Sequence, residues 1–226
     1  MIENSHLRRP IARGRAAVLC LVTLALSGCG LVNTESPFWA TVAAIRGGSD
    51  TSPPVDRAHV DNLPYASMLA WFDDTKPSFI VLGQVQNGRL FWYSAGQQVI
   101  VTRGPYVIQT AGLGRDLTAV QFTKGSVESP LNLIGQERQR SLDARGEGRF
   151  AWELRCTYSS AGRENVVILE RPMELSKVRE TCQQTEGKPI ENTYWGDPQT
   201  GLIWKSQQVL LPGMAPLNIE ILKPFG

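Results

Sequence analysis

The sequence predicts a mainly β protein, with antiparallel meander and hairpin sheets forming one β-rich domain behind a short N-terminal helix. Three observations carry this. From Leu63 onward, short runs of β-branched and aromatic residues recur between Gly, Asn and Pro punctuation. Asn87-Gly88 stands between two such runs, and tight hairpins favour that pair because both central residues take positive φ. In Phe150-Ala151-Trp152-Glu153-Leu154-Arg155-Cys156 the alternation places Phe150, Trp152, Leu154 and Cys156 on one face.

Taken in order, the chain opens with a leader. Arg8, Arg9, Arg13 and Arg15 precede an uncharged apolar run from Ala16 to Leu26, the pattern of a secretory signal. The run is too short to cross a hydrocarbon layer of roughly 30 Å as a permanent helix. Leu26-Ser27-Gly28-Cys29 resembles the lipobox of bacterial lipoproteins: an aliphatic residue, two small residues, and a cysteine whose thiol takes diacylglycerol before cleavage frees its amine for another acyl chain. The resemblance implies removal of residues 1–28 and a lipidated Cys29. Each buried methylene adds ~0.8 kcal/mol and two lipid signals already give stable anchoring. An ordinary signal peptide with an incidental cysteine is the alternative.

Residues 29–56 then form a lipidated tether with a short helix and a linker, and residues 57–226 the β-rich domain. Ser36 as N-cap and Pro37 at the first helical position open the helix. Phe38, Val42 and Ile45 follow at helical spacing, and Gly47-Gly48 ends it. Ser49 to Asp56, with Pro53-Pro54, reads as extended linker. Phe79–Leu82, Leu90–Tyr93, Val99–Val101 and Tyr106–Ile108 are the strands of a meander. Lys124 to Arg149 is polar and mixed in charge, and its composition predicts a long exposed connection between two strand clusters. The second cluster comprises Phe150–Cys156, Val166–Leu169 and Val178–Cys182. Asn192–Trp195 and Leu202–Leu211 form a last hairpin around Gly196–Gly201, and Leu217–Leu222 a closing strand.

Charge and cysteines exclude several functions. The chain holds 23 basic and 21 acidic residues. Subtracting the leader's four Arg and one Glu leaves 19 against 20, a net of minus 1. The mature part therefore lacks the positive charge that nucleic-acid binding needs. Cys20 leaves with the leader and Cys29 takes lipid, so Cys156 and Cys182 remain as a pair for an oxidising compartment. A bridge across that separation stabilises by roughly 3 to 4 kcal/mol in the chain-entropy model. A metal or redox site needs close Cys or His partners, and His59 is the only mature histidine. No cofactor or metal is expected.

Motifs for catalysis are weak. Gly112-Leu113-Gly114-Arg115-Asp116 lacks the third glycine of a dinucleotide loop. No Gly-x-Ser-x-Gly elbow occurs, and one histidine does not suit a hydrolytic triad. Paired carboxylates such as Asp73-Asp74, or Glu191 with Asp197, could cleave a glycosidic bond if held apart by roughly 5 to 9 Å, but Asp73-Asp74 reads better as a turn. The densest aromatic and polar group is Asn192, Tyr194, Trp195, Asp197, Trp204, Lys205, Ser206 and Gln208, a set suited to stacking and hydrogen-bonding sugars, with the first six as the candidate glycan contacts. The same residues also fit a structural role, with Trp195 and Trp204 in the core, Asp197 bonding its own turn and Lys205 solvated.

Leu63-Pro64-Tyr65-Ala66-Ser67, Thr110 with Gly112-Leu113 and Asp116-Leu117, Asn192-x-Tyr194-Trp195-x-Asp197, Thr200-Gly201, Trp204-Lys205-Ser206-x-Gln208 and Leu222-Lys223-Pro224 resemble, in the same order, the YjbF/GfcB family. These are lipoproteins of bacterial capsule and exopolysaccharide operons. The resemblance implies a largely antiparallel β envelope lipoprotein that works beside export proteins in polysaccharide secretion, and it supplies no catalytic residues. The expectation is a non-enzymatic lipoprotein held by Cys29, facing the periplasm from the outer membrane, since Gly30 rather than Asp follows the lipidated cysteine. A polysaccharide-binding module using residues 192–208, and a glycan-modifying enzyme, are the other two readings. Expected partners are the membrane through the lipid, export or assembly proteins, and the polysaccharide itself.

Overall fold

The computed structural model describes residues 55–122, 127–185 and 187–226. The helix expected over residues 36–47, most of the linker, and Cys29 lie outside them. Helix α1 (Arg57–Asn62) opens the described part, capped by the Asp56 carboxylate, which accepts the His59 N–H at 2.7 Å. Twelve strands follow: β1 (Ser67–Phe72), β2 (Ser78–Gln86), β3 (Arg89–Ser94), β4 (Val99–Arg103), β5 (Tyr106–Ala111), β6 (Ala119–Phe122), β7 (Glu137–Ala144), β8 (Arg149–Ile168), β9 (Arg171–Gln184), β10 (Ile190–Gly196), β11 (Ile203–Gln208) and β12 (Leu217–Lys223).

They form one antiparallel sheet in the order β5-β4-β3-β2-β1-β12-β11-β10-β9-β8-β7-β6. The mainly β, antiparallel class is thus the one the sequence predicts. Sequential hairpins account for every neighbour except β1 with β12, where the two ends of the domain zip together. The seam lies between β5 and β6. There Thr110 N–H donates to the Leu117 carbonyl at 2.8 Å, and across the sheet Gln208 Oε1 accepts the Val107 N–H at 3.1 Å, so the sheet curls into a near-barrel. Met68, Ile80, Trp92, Ile100, Leu142, Leu154, Val178 and Ile219 fill its interior as one apolar cluster.

Turn chemistry sits where the residues demand. Asn87 and Gly88 have φ of 51° and 72°, closing β2 on β3. Asp73-Asp74 lies in the β1–β2 turn, with Asp73 Oδ1 accepting from Asn218 at 2.7 Å. The glycine-rich stretch after β5 folds around its own carboxylate, Asp116, which accepts from the Gly112 N–H, the Leu113 N–H and the Thr110 hydroxyl at 3.0–3.1 Å. Those three donors thus serve the loop's own carboxylate rather than a phosphate.

Three expectations are corrected. The stretch from Lys124 to Arg149 is not a single exposed connection, because it contains β7, paired with β6 and β8. Polar residues hid that strand: Arg138 and Arg140 occupy the same parity as Leu142. Phe150–Cys156 and Val166–Ile168 are parts of one long strand, β8, continuous but for a bulge between Ser160 and Arg163 where Gly162 takes φ of 86°, and Leu169 falls in the turn to β9. Finally, Phe150 does not share the buried face of Leu154 and Cys156. It is 64% exposed, because Ala151 at φ 49° breaks the alternation beside it.

Past the bulge, Val166, Ile168 and Leu175 pack with Leu69, Phe79 and Val81 of β1 and β2. Those strands are separated from β8 in the sheet by β9 to β12, so the distal β8–β9 hairpin lies across the outer face. Arg57 clamps it, donating to the Ile168 carbonyl at 2.9 Å, the Leu169 carbonyl at 3.1 Å and the Leu222 carbonyl at 3.1 Å.

Candidate functional site

Directly opposed residues of an antiparallel pair point to the same side of the sheet, so register decides what enters the interior. Tyr158 opposes Glu180, which opposes Asn192, while Arg140 opposes Leu154. The result is a charged group inside the near-barrel. Glu180 is fully buried and its carboxylate takes four donors: the Tyr158 hydroxyl at 2.5 Å, Asn192 Nδ2 at 2.6 Å, and the Tyr194 hydroxyl and Arg140 Nη2 at 3.1 Å. The Tyr106 hydroxyl approaches that of Tyr158 at 3.3 Å. Arg140 also lies 5.9 Å over the Tyr106 ring.

Burial, and after it the negative charge of Glu180, hold the Tyr106, Tyr158 and Tyr194 phenols well above their ordinary range. Burial is the largest single influence on Arg140 and opposes its charged form, but the Glu180 carboxylate together with Tyr194, Tyr158 and Tyr106 outweighs it, so the guanidinium holds its proton more tightly than usual. An ionised pair ringed by neutral phenols results. A carboxylate has about four lone-pair sites, and here each oxygen already serves the fold. The cluster therefore offers a substrate neither a free base nor an open path.

Cys156 and Cys182, opposed on β8 and β9, form the expected disulfide. Arg140 Nη2 touches the Cys182 sulfur at 3.3 Å. Both sulfurs are bonded to each other, so their closeness to Glu180 does not make a thiolate metal site. Arg140, Tyr158 and Glu180 were not among the candidates read from sequence. One signal pointed to Glu180: it precedes Cys182 by two residues and so shares the face on which the bridge lies.

The structure splits the aromatic hairpin. Asn192 and Tyr194 face the interior and bind Glu180, with Asn192 Oδ1 also accepting the Val209 N–H at 2.8 Å. Trp195, one residue on, points outward yet is only 4% exposed, under the folded-over hairpin. Its indole N–H donates to Glu164 at 3.1 Å, and the Lys177 and Lys205 ammonium groups lie 5.0 and 5.6 Å from its ring. Lys205 is not simply solvated, because it pairs with Glu220 at 2.8 Å. Trp204 is partly buried, with the Arg171 guanidinium 5.4 Å over its ring. Asp197 accepts the Gln199 N–H at 2.8 Å and the Thr200 hydroxyl at 2.9 Å, which hold its carboxyl below the ordinary range. These contacts are those of a turn former.

Two larger clefts lie among the described residues, in addition to a small pocket of about 20 Å³ that borders Tyr106 and Tyr158. One, about 340 Å³, lies among β1, β3, β4, β11, β12 and the C-terminal Pro224-Phe225. The other, about 540 Å³, is bounded by Arg149, Trp152, Lys188, Glu191, Val209 and Met214, with the Arg149 guanidinium 4.6 Å over the Trp152 ring.

Fold and site together define a curled antiparallel β protein with an apolar interior, a buried and internally satisfied polar cluster within it, and open clefts among its described residues. The chain belongs to the YjbF family, group 4 capsule polysaccharide lipoproteins, whose model matches residues 37–222. It is 26% identical over 217 residues to the uncharacterized lipoprotein GfcB of Escherichia coli K12, across 93% of this chain and 99% of that one. The crystal structure of the hypothetical lipoprotein YmcC from Escherichia coli K12 is similar with a TM-score of 0.61 at 25% identity, covering 76% of this chain and 90% of that one. The chain is accordingly a lipid-anchored protein of the cell envelope. No helix among the described residues is long and apolar enough to cross a membrane.

Proposed function

We propose that this lipoprotein is non-enzymatic, is anchored by acylated Cys29 to the periplasmic face of the outer membrane, and assists assembly or export of a capsule or exopolysaccharide. The observation that supports it most is the fate of the hairpin. Asn192, Tyr194 and Asp197, the groups best suited to act on a glycan, are engaged in the fold's own hydrogen bonds. The protein acts, on this reading, as a placed scaffold beside export proteins. Cys29→Ser should abolish palmitate labelling and stop polysaccharide reaching the surface while the β domain stays folded. Persistent labelling, or normal secretion from the unlabelled variant, would sink the reading, as would cleavage of the polysaccharide by purified protein.

One observation favours a second reading, direct polysaccharide contact. The larger cleft combines the partly exposed Trp152 with Arg149, Lys188 and Glu191, a mixture of ring face and charge that suits a charged sugar chain better than the buried hairpin does. Trp152→Ala and the exposed Lys188→Gln should then each weaken binding of the cell's own capsular polysaccharide to the purified lipoprotein, Lys188→Gln without lowering its melting temperature. Unchanged binding would remove this surface from consideration.

A further inference from the structure

The smaller cleft differs in kind from the larger one. Its walls are Met68, Leu90, Trp92, Ile219, Ile221 and Phe225, with a few polar side chains among them. Four of them, Thr102, Ser129, Lys205 and Ser206, are already engaged, and Trp204 adds a second indole ring to the wall. The Thr102 hydroxyl accepts the Trp92 indole N–H at 2.9 Å, the Ser129 hydroxyl donates to the Gly201 carbonyl at 2.9 Å, the Ser206 hydroxyl accepts from Gln208 at 2.9 Å, and Lys205 pairs with Glu220 at 2.8 Å. A sugar placed here would lose its water and meet little in return. An alkyl chain would lose nothing and gain apolar contact.

Size narrows the ligand. An engineered apolar cavity of about 150 Å³ holds one benzene, so on the same scale about 340 Å³ takes roughly a dozen carbon atoms. That is one lipid tail, not two, and only a fraction of a long polyprenyl chain. Phe225, 56% exposed at the rim, extends the apolar surface outward. A protein anchored to a membrane meets such tails at high local concentration.

We propose that the cleft between β3 and β12 binds a single acyl tail of a membrane lipid. The site stands apart from the role proposed above, because nothing in it depends on a polysaccharide. Trp92, 2% exposed to water, supplies the reporter. The full-length lipoprotein is reconstituted into vesicles of phosphatidylethanolamine and phosphatidylglycerol, with and without bromine on the acyl chains, which quenches tryptophan only at contact. The emission belonging to Trp92, taken as the difference between wild type and Trp92→Phe, should be largely lost in the brominated vesicles. Ile221→Glu, which puts a charge in the cleft wall, should restore it. Leu90→Gln serves the same purpose if far-UV circular dichroism shows the first variant misfolded. Trp92 emission that is equal in both vesicle types would overturn the proposal. Quenching by a brominated polyprenyl phosphate in unbrominated vesicles, with none from the brominated acyl chains, would overturn the acyl assignment.

Discussion

Tyr194 and Trp195 are neighbours in β10, yet they belong to two different electrostatic worlds. On the inner face, Tyr194 joins Arg140, Tyr158, Asn192 and Glu180, with Glu180 wholly out of water. On the outer face, Trp195 joins Glu164, Lys177 and Lys205, whose charged groups stay partly wet, Glu164 being 46% exposed. Both groups contain carboxylate, cation and aromatic ring. They differ in solvent. Removing charges from water carries a penalty of several kcal/mol per ion that the pair must offset, whereas exposed pairs are screened and contribute about 0 to 1 kcal/mol. Residue type therefore does not tell how much an ion pair matters; the face of the strand does.

The widest test of this contrast is Glu180→Gln. It leaves the Arg140 guanidinium buried without its counter-charge and should cost about 3 to 5 kcal/mol, read by denaturant unfolding. Arg140→Met together with Glu180→Gln should cost less than Glu180→Gln alone, because the stranded charge is gone. Equal costs would mean that the pair is not the source of the penalty. On the outer face the apolar body, not the charge, should dominate: Trp195→Ala should also cost about 3 to 5 kcal/mol by leaving a cavity under the hairpin and should lower the melting temperature. A stable Trp195→Ala protein that failed in secretion would instead make the ring a contact surface.

Next in size is the response to alkali. Tyr106, Tyr158 and Tyr194 hold their protons more tightly folded than unfolded. Their contribution is complete below the unfolded value of 10.0 and is lost as pH rises beyond it, since only the unfolded chain can then ionise. Stability should fall by up to about 1.4 kcal/mol per pH unit per tyrosine, followed as melting temperature against pH. Tyr158→Phe should flatten the slope.

The smallest effects belong to the wet side. Hydrogen bonds first from Lys177 and then from Trp195 lower the Glu164 pKa, so its contribution is present above the ordinary carboxylate range and fades as pH falls below it. Screening keeps Glu164→Gln under about 1 kcal/mol, and high salt should shrink that further. Asp197→Asn should leave the melting temperature unchanged, since an amide oxygen still accepts the Gln199 N–H, and should leave polysaccharide secretion intact. A folded Asp197→Asn protein without secretion would point to an acid role for that carboxylate.

Much was written in local sequence. Asn87-Gly88 needs only its own two backbones to make a turn, Asp197 only its next three residues, and the strands β2 to β5 and β10 to β12 only alternation and β-branched side chains. The pairing of Cys156 with Cys182 followed from counting. What local pattern misjudged was β7, because its inward positions carry Arg138 and Arg140, and a polar residue facing inward looks identical in sequence to one facing water. Only strand register, which places Arg140, Tyr158, Glu180 and Asn192 side by side from four separate strands, makes that burial tolerable. The same holds for Trp195: its ring is covered by the part of the β8–β9 hairpin that lies beyond the Gly162 bulge, a contact no window of sequence contains. Propensity and turn chemistry act over a few residues and are legible along the chain. Burial of charge depends on a partner brought from 40 residues away, Glu180 to Arg140, and only the tertiary structure supplies it.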